Sequence, residues 1–261
     1  MEILLFLVSF LASTIGSICG IGGGVLMKPL LDAFQVMSVS AASFLSGCTV
    51  LTMSVVSLIR GRRQGGQALQ FKTTVPLGIG GALGGILGKY LFNFLLKTAA
   101  GSESVAAIQA ACLLAVTVMT LLYTLYRAHM PAFKVTSKPV CVLAGVALGM
   151  LSSFLGIGGG PINLVVLFFL FSMDTKTASR NSLYIIMLSQ TASLLNMFAA
   201  QTIPTVRTED LFVMILGGVL GGIAGAGVNR KIGGRLMNRL FIGIMVVIIM
   251  INIYNLVSRL F

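Results

Sequence analysis

Ten apolar segments run through the chain, at about 3–19, 24–37, 39–59, 72–96, 104–126, 139–155, 161–173, 177–200, 209–229 and 237–258. Charged, glycine-rich or proline-bearing stretches separate them. Most approach or exceed the ~20 residues that a helix needs to cross a bilayer, so they read as membrane helices. Two are short. Segments 24–37 and 161–173 extend only ~20 Å at ~1.5 Å per residue, less than a ~30 Å hydrocarbon core. Each short segment follows the same pentapeptide, Gly-Ile-Gly-Gly-Gly, at Gly20–Gly24 and again at Gly156–Gly160.

The pentapeptides lie 136 residues apart in a 261-residue chain, and the register persists beyond them. At that offset Met37 falls on Met173, Ala42 on Ala178, Ser43 on Ser179 and Ser46 on Ser182. At an offset of 137, Gly80, Gly81, Gly84, Gly85 and Gly88 fall on Gly217, Gly218, Gly221, Gly222 and Gly225. Generic membrane composition does not keep three features in order and register. The chain reads as two repeats, 1–130 and 131–261, divided by the polar loop 127–138.

Charge decides how the repeats are oriented. With each pentapeptide inside one spanning helix, the chain has eight spans and its Lys and Arg divide 9 to 7 between the faces, which specifies no orientation. With each pentapeptide at the tip of a re-entrant hairpin, each half has three full spans and the halves are inverted. One face then takes 13 basic residues: Arg60, Arg62, Arg63, Lys72, Arg127, Lys134, Lys138, Lys176, Arg180, Arg230, Lys231, Arg235 and Arg239. The other takes 3, Lys97, Arg207 and Arg259, with Glu2, Glu103, Glu209 and Asp210. The positive-inside rule makes the first face cytoplasmic and puts both termini outside. The fold expected is an all-α polytopic membrane protein of two inverted repeats, each a hairpin with a glycine tip plus three spanning helices. In this reading the tip turns at mid-depth.

A tip inside a bilayer must face protein or a water-filled cavity, because lipid satisfies no backbone polar group. Glycine lets the chain turn and lets a ligand approach the backbone. The arm after each tip starts with unpaired N–H groups and the positive end of a helix dipole, a geometry that holds anions. Pro161 suits the first position of such a helix. The candidate binding residues are therefore Gly22, Gly23, Gly24 and Val25 at the first tip, and Gly158, Gly159, Gly160, Pro161, Ile162 and Asn163 at the second. Ser43, Ser46, Ser179 and Ser182 are candidates for lining the path, with the bland alternative that each hydroxyl bonds its own helix. The glycines of 80–88 and 217–225, at i, i+4 spacing, read instead as helix-packing surfaces. Lys28, inside an apolar arm, either pairs with a bound anion, snorkels to the interface or bonds Asp32 at i+4. Arg180 reads as a gate or as an orientation charge.

Composition excludes other classes. Charged residues are 9% of the chain and the hydrophobic set 57%. The net charge of +12 sits mostly in short loops, as orientation charge rather than as a nucleic-acid surface. The N-terminus lacks a positive n-region, so the first segment is expected to stay in the mature protein. Cys19, Cys48, Cys112 and Cys141 form no CxxC and read as packing residues; His129 stands alone in a loop. No cofactor or metal is expected. An intramembrane enzyme needs a constellation of acids, bases or metals that six acidic residues and one histidine do not supply.

The chain resembles the sulfite exporter TauE/SafE family. The resemblance rests on Gly20–Gly24 with Pro29 following, on Gly156–Gly160, on the pairs Ala42-Ser43 and Ala178-Ser179, and on the duplication; it covers essentially the whole chain. Two positions depart from the pattern: Lys28 stands where an apolar residue precedes Pro29, and the second copy has Pro161 but no match to Pro29. The resemblance implies a bacterial inner-membrane protein that moves a small sulfur-containing anion such as sulfite or a sulfonate. The expectation is a non-enzymatic secondary transporter working by alternating access. An anion channel, an intramembrane enzyme and a non-transporting assembly factor are the alternatives. The partners expected are the small anion and the bilayer, with a homodimer left open.

Overall fold

The computed structural model describes residues 2–34, 37–63, 69–98, 102–129, 132–157 and 159–260. They form ten α-helices: α1 (Glu2–Cys19), α2 (Gly24–Ala33), α3 (Val39–Arg63), α4 (Phe71–Thr98), α5 (Ser102–Tyr126), α6 (Lys138–Leu155), α7 (Pro161–Phe171), α8 (Thr175–Ala199), α9 (Thr208–Lys231) and α10 (Gly234–Leu260). All but α2 and α7 are long and apolar enough to span a membrane. The protein is thus an all-helical, multi-pass membrane protein.

Local chemistry sets the breaks. α1 ends where Gly20 turns left-handed at φ +76°, and the Gly20 and Ile21 amides both return to the Gly16 carbonyl. α6 ends the same way, with Gly156 at φ +66° and the Ile157 amide bonded to Ser152 O. These closures satisfy carbonyls that a helix end otherwise orphans. α7 begins on Pro161, and the Asp174 carboxylate caps α8 by accepting from the Lys176 and Thr177 amides. The segment joining the halves lies along α7, with the Phe133 and Val135 amides bonded to Phe169 O and Leu170 O.

Glycine rows set the packing, and they pair helices across the two halves. A Cβ on Gly217, Gly221 or Gly225 of α9 would lie 2.0–3.1 Å from atoms of Phe6, Ser9, Phe10, Ser13, Thr14 and Ser17 on α1. A Cβ on Gly80, Gly84 or Gly88 of α4 would lie 2.0–3.0 Å from Val142, Val146 and Met150 on α6. Only a missing side chain lets the backbones come this close, which is how helices associate tightly where no hydrophobic drive exists between them. The adjacent glycines face a third helix: Gly218 and Gly222 meet Thr49 and Met53 of α3, and Gly81 and Gly85 meet Ile185 and Ser189 of α8. The contacts of Phe6, Phe10, Thr14, Thr49 and Met53 recur at Val142, Val146, Met150, Ile185 and Ser189, at the offsets 136 and 137 read from the sequence.

The same contacts give direction. Along α1, Phe6, Phe10 and Thr14 meet Gly217, Gly221 and Gly225 in order, so α1 and α9 are parallel. α3 is parallel to α9 by the order Thr49 to Gly218, Met53 to Gly222. Since α1 and α3 point the same way, α1 and α2 form a hairpin that returns the chain to its starting end. α4 is parallel to α6 and α8 by the equivalent contacts. α3 and α8 oppose each other, with Gly47 beside Gln190 and Gly61 beside Arg180.

The hairpin arms are unequal, 18 residues in α1 and 10 in α2, and the turn lies near the far end of α9 rather than halfway along it. α1 runs alongside α9 almost to its end, where the Asn229 side chain bonds Ile18 O. The physical reason is the glycine row, which holds α1 against α9 over its whole length. The chain then doubles back: a Cβ on Gly16 would lie 2.4 Å from Gly23 N, and one on Gly23 3.0 Å from Ala12. α2 therefore starts partway back along α1.

Candidate functional site

Each glycine tip rests on a serine of the opposite half. A Cβ on Gly20 would lie 2.3 Å from Ser179 Oγ, and one on Gly156 2.5 Å from Ser43 Oγ. Both serines sit in the first turns of spanning helices, α8 and α3. Ser46, one turn further along α3, donates its hydroxyl to Gly156 O at 3.0 Å and so anchors the second tip. Positive φ at Gly20, Gly22, Gly156, Gly159 and Gly160 makes these turns glycine-dependent. Gly158 lies outside the described residues.

The two tips touch. A Cβ on Gly24 would lie 2.1 Å from Ile157 O, and one on Gly160 2.9 Å from a Val25 methyl. Val25 and Ile157 are buried, as are Gly24, Gly160 and Pro161. The line from Gly24 to Ile157 is filled in this conformation and leaves no room for a ligand on it. Around this contact the N-termini of α2 and α7 converge from opposite hairpins.

Polar groups next to the tips are buried without partners. Among the described residues the hydroxyls of Ser43 and Ser182 and the Oδ1 of Asn163 find no hydrogen-bond partner, and these residues are 6%, 0% and 1% exposed. Buried polar groups are nearly always satisfied, so orphans beside the tips are candidate contacts for a ligand. Asn163 faces the second tip, its amide nitrogen 3.2 Å from where a Gly159 Cβ would be. Ser182 is the repeat counterpart of Ser46 but does not share its bond. Ile162 is only partly buried. Further along α8, Ser189 bonds its own helix at Ile186 O and Ser193 bonds Ser153 of α6.

Lys28 does not snorkel. It is 2% exposed, and its ammonium donates to Leu155 O at 2.8 Å and to the Gln109 side-chain oxygen. Gln109 in turn donates to Phe154 O. A cation thus sits at the C-terminus of α6, where the helix dipole is negative, and fastens the arm after the first tip to the base of the second. The carbonyls of α6 come from the other half and have no sequence signal. Gln109 was missed for the same reason, although a lone Gln in apolar α5 is a signal. Lys89 of α4 was missed as well. It is 5% exposed, with its ammonium 4.7 Å from the Phe92 ring centre. The repeat counterparts of Lys28 and Lys89 are Leu164 and Ala226, so both buried lysines belong to the first half.

The basic residues gather at one end of the helix array. Arg180 lies against Gly61 and feels the charge of Arg62; Lys176 donates to Arg230 O at 3.5 Å; Arg127 donates to Met173 O. This rules out the 9-to-7 division, which puts Arg60, Arg62 and Arg63 opposite Lys176, Arg180 and Arg230. Arg207 pairs with Glu209 and feels Glu2 at the opposite end. The side chains of Lys97, Glu103 and Arg259 lie outside those described.

Comparison with known proteins agrees with this architecture. The chain is 23% identical over 249 residues to a Bacillus subtilis (strain 168) protein described as "Probable membrane transporter protein YunE", covering 88% of this chain and 89% of that one. No solved structure matches it. The profile of the family described as "Sulfite exporter TauE/SafE" matches residues 5–252, nearly the whole length. The chain belongs to the TauE/SafE family.

Proposed function

We propose that the protein is a secondary transporter that moves a small anion, of the sulfite and sulfonate class, across the bacterial inner membrane. The observation that carries this is the contact of the two glycine tips, with buried polar groups beside them that have no partner among the described residues: Ser43 and Asn163 at the second tip, and Ser182 one turn along α8 from the serine under the first. The positive N-termini of α2 and α7 supply attraction for an anion, and the serine hydroxyls supply donors. The repeats 1–130 and 131–261 are inverted in this reading, and the opposed directions of α3 and α8 support it. Contact between the tips corresponds to an occluded state. Rocking one half against the other parts the tips towards alternate faces. The basic end is cytoplasmic and both termini are outside. Arg180, at the cytoplasmic mouth, attracts the anion; Lys28 holds the two hairpins in register. The family assignment and the relative's description support transport rather than enzymatic chemistry.

Radiolabelled sulfite uptake into proteoliposomes tests the proposal. Saturable uptake with exchange of internal for external sulfite supports a carrier. Non-saturating downhill flux points to a channel, and absence of flux with sulfite, sulfonates and sulfate overturns the reading.

A further inference from the structure

A second site lies on the outside of the first hairpin. Ile15 of α1, Leu26 of α2 and Arg239, Leu240, Gly243, Ile244 and Val247 of α10 line a cavity of about 340 Å³. Its walls are apolar apart from Arg239. Leu240 and Val247 are 40% and 49% exposed on the outer face of α10, so in a membrane the cavity opens to lipid. Arg239 lies near the start of α10, at the end of the array where Arg230 and Lys231 close α9. Arg235 is one turn before it. Arg239, Gly243 and Val247 share a face at i, i+4 spacing and cover ~12 Å of helix.

Gly243 is the second observation. Every glycine of the 80–88 and 217–225 rows has a neighbour where its Cβ would be. A Cβ on Gly243 would have no such neighbour within 4 Å among the described residues, although Gly243 stands inside a 27-residue helix. Glycine is unfavourable in a helix interior, and here no protein contact explains it. Its absent side chain leaves the groove open.

We infer that this groove binds an anionic phospholipid, with the phosphate at Arg239 and Arg235 and an acyl chain along Leu240, Gly243 and Val247. The charge pattern selects the ligand: an apolar channel with cationic residues at its interfacial end matches an acidic headgroup on a hydrocarbon tail. The bound chain would press on Ile15 and Leu26, behind the first glycine tip, so lipid composition acts on the hairpin.

Native mass spectrometry of the delipidated protein with phosphatidylglycerol or phosphatidylcholine tests the inference. The wild type is expected to bind phosphatidylglycerol several-fold more tightly. Arg239→Gln should weaken phosphatidylglycerol binding about fivefold and leave phosphatidylcholine unchanged. Gly243→Leu, which fills the groove, should weaken both, and Arg207→Gln at the opposite end neither. Equal binding of the two lipids by the wild type, or phosphatidylglycerol binding by Arg239→Gln equal to wild type, overturns it. Arg239 is exposed, so that variant decides the question even if Gly243→Leu fails to fold.

Discussion

Ser17 Oγ and Ser57 Oγ lie 2.6 Å apart, and at an offset of 136 residues Ser153 Oγ and Ser193 Oγ lie 2.8 Å apart. Each bond ties the first arm of a hairpin to the spanning helix that follows it. Ser17 and Ser57 also both reach Gly222 O on α9, at 3.3 Å. One hydroxyl pair therefore joins three helices, two from the first half and one from the second. Intramembrane hydrogen bonds contribute about 0.6 kcal/mol on average. A double-mutant cycle on Ser17→Ala and Ser57→Ala, read by unfolding in detergent, should give a coupling of that order. Strict additivity of the two variants would contradict the bond.

The glycine rows separate by position. Gly84→Leu places side-chain atoms where Val146 O lies 2.0 Å from the Cβ position, so it should prevent α4 from seating on α6 and abolish recovery of folded protein. Gly227→Leu, with nothing within 4 Å, should be tolerated. Fluorescence-detected size exclusion of the two variants compares them directly; equal monodispersity would refute the packing role.

Lys28→Met removes the donor to Leu155 O and leaves buried acceptors unpaired. The expected loss is about 1–3 kcal/mol of stability, seen as a lower thermal midpoint. A midpoint equal to wild type would mean that Lys28 does not fasten the hairpins together.

Asp174 caps α8 from the loop before it. Burial pushes its carboxyl up, but hydrogen bonds from Thr177 and Lys176 outweigh burial and hold it below its ordinary 3.8. The cap's contribution is thus fully present above about pH 4 and is lost as pH falls through the lowered value. Asp174→Ala should cost about 1 kcal/mol at neutral pH, and the gap from wild type should close in acid. A gap independent of pH would contradict an ionised cap.

The sequence made the elements legible because membrane helices advertise themselves by length and composition. The segments predicted at 39–59 and 177–200 are α3 and α8 within a few residues at each end. Repeat register was legible because glycines tolerate little change where backbones touch. What the glycines at 80–88 could not say is which helix they meet. That partner, α6, lies in the other half, and no pattern along one chain encodes cross-half pairing. For the same reason the sequence offered the serines only as candidates for lining a path, and the contacts of Ser43 with Gly156, Ser179 with Gly20 and Gly24 with Ile157 were not foreseen. The 17-residue first segment already signalled an arm too long for a half-crossing.

The central claim is that the glycine tips and their unpartnered polar neighbours hold the anion. Its most direct test is sulfite uptake into proteoliposomes by wild type and by Ser43→Ala/Ser182→Ala. Neither hydroxyl has a protein partner in the folded state, so the variant should keep its thermal midpoint. Wild-type uptake should be saturable and the variant's KM about tenfold higher, the equivalent of ~1.4 kcal/mol of lost hydrogen bonding. A variant with wild-type KM and rate would remove these serines from the site and contradict the account.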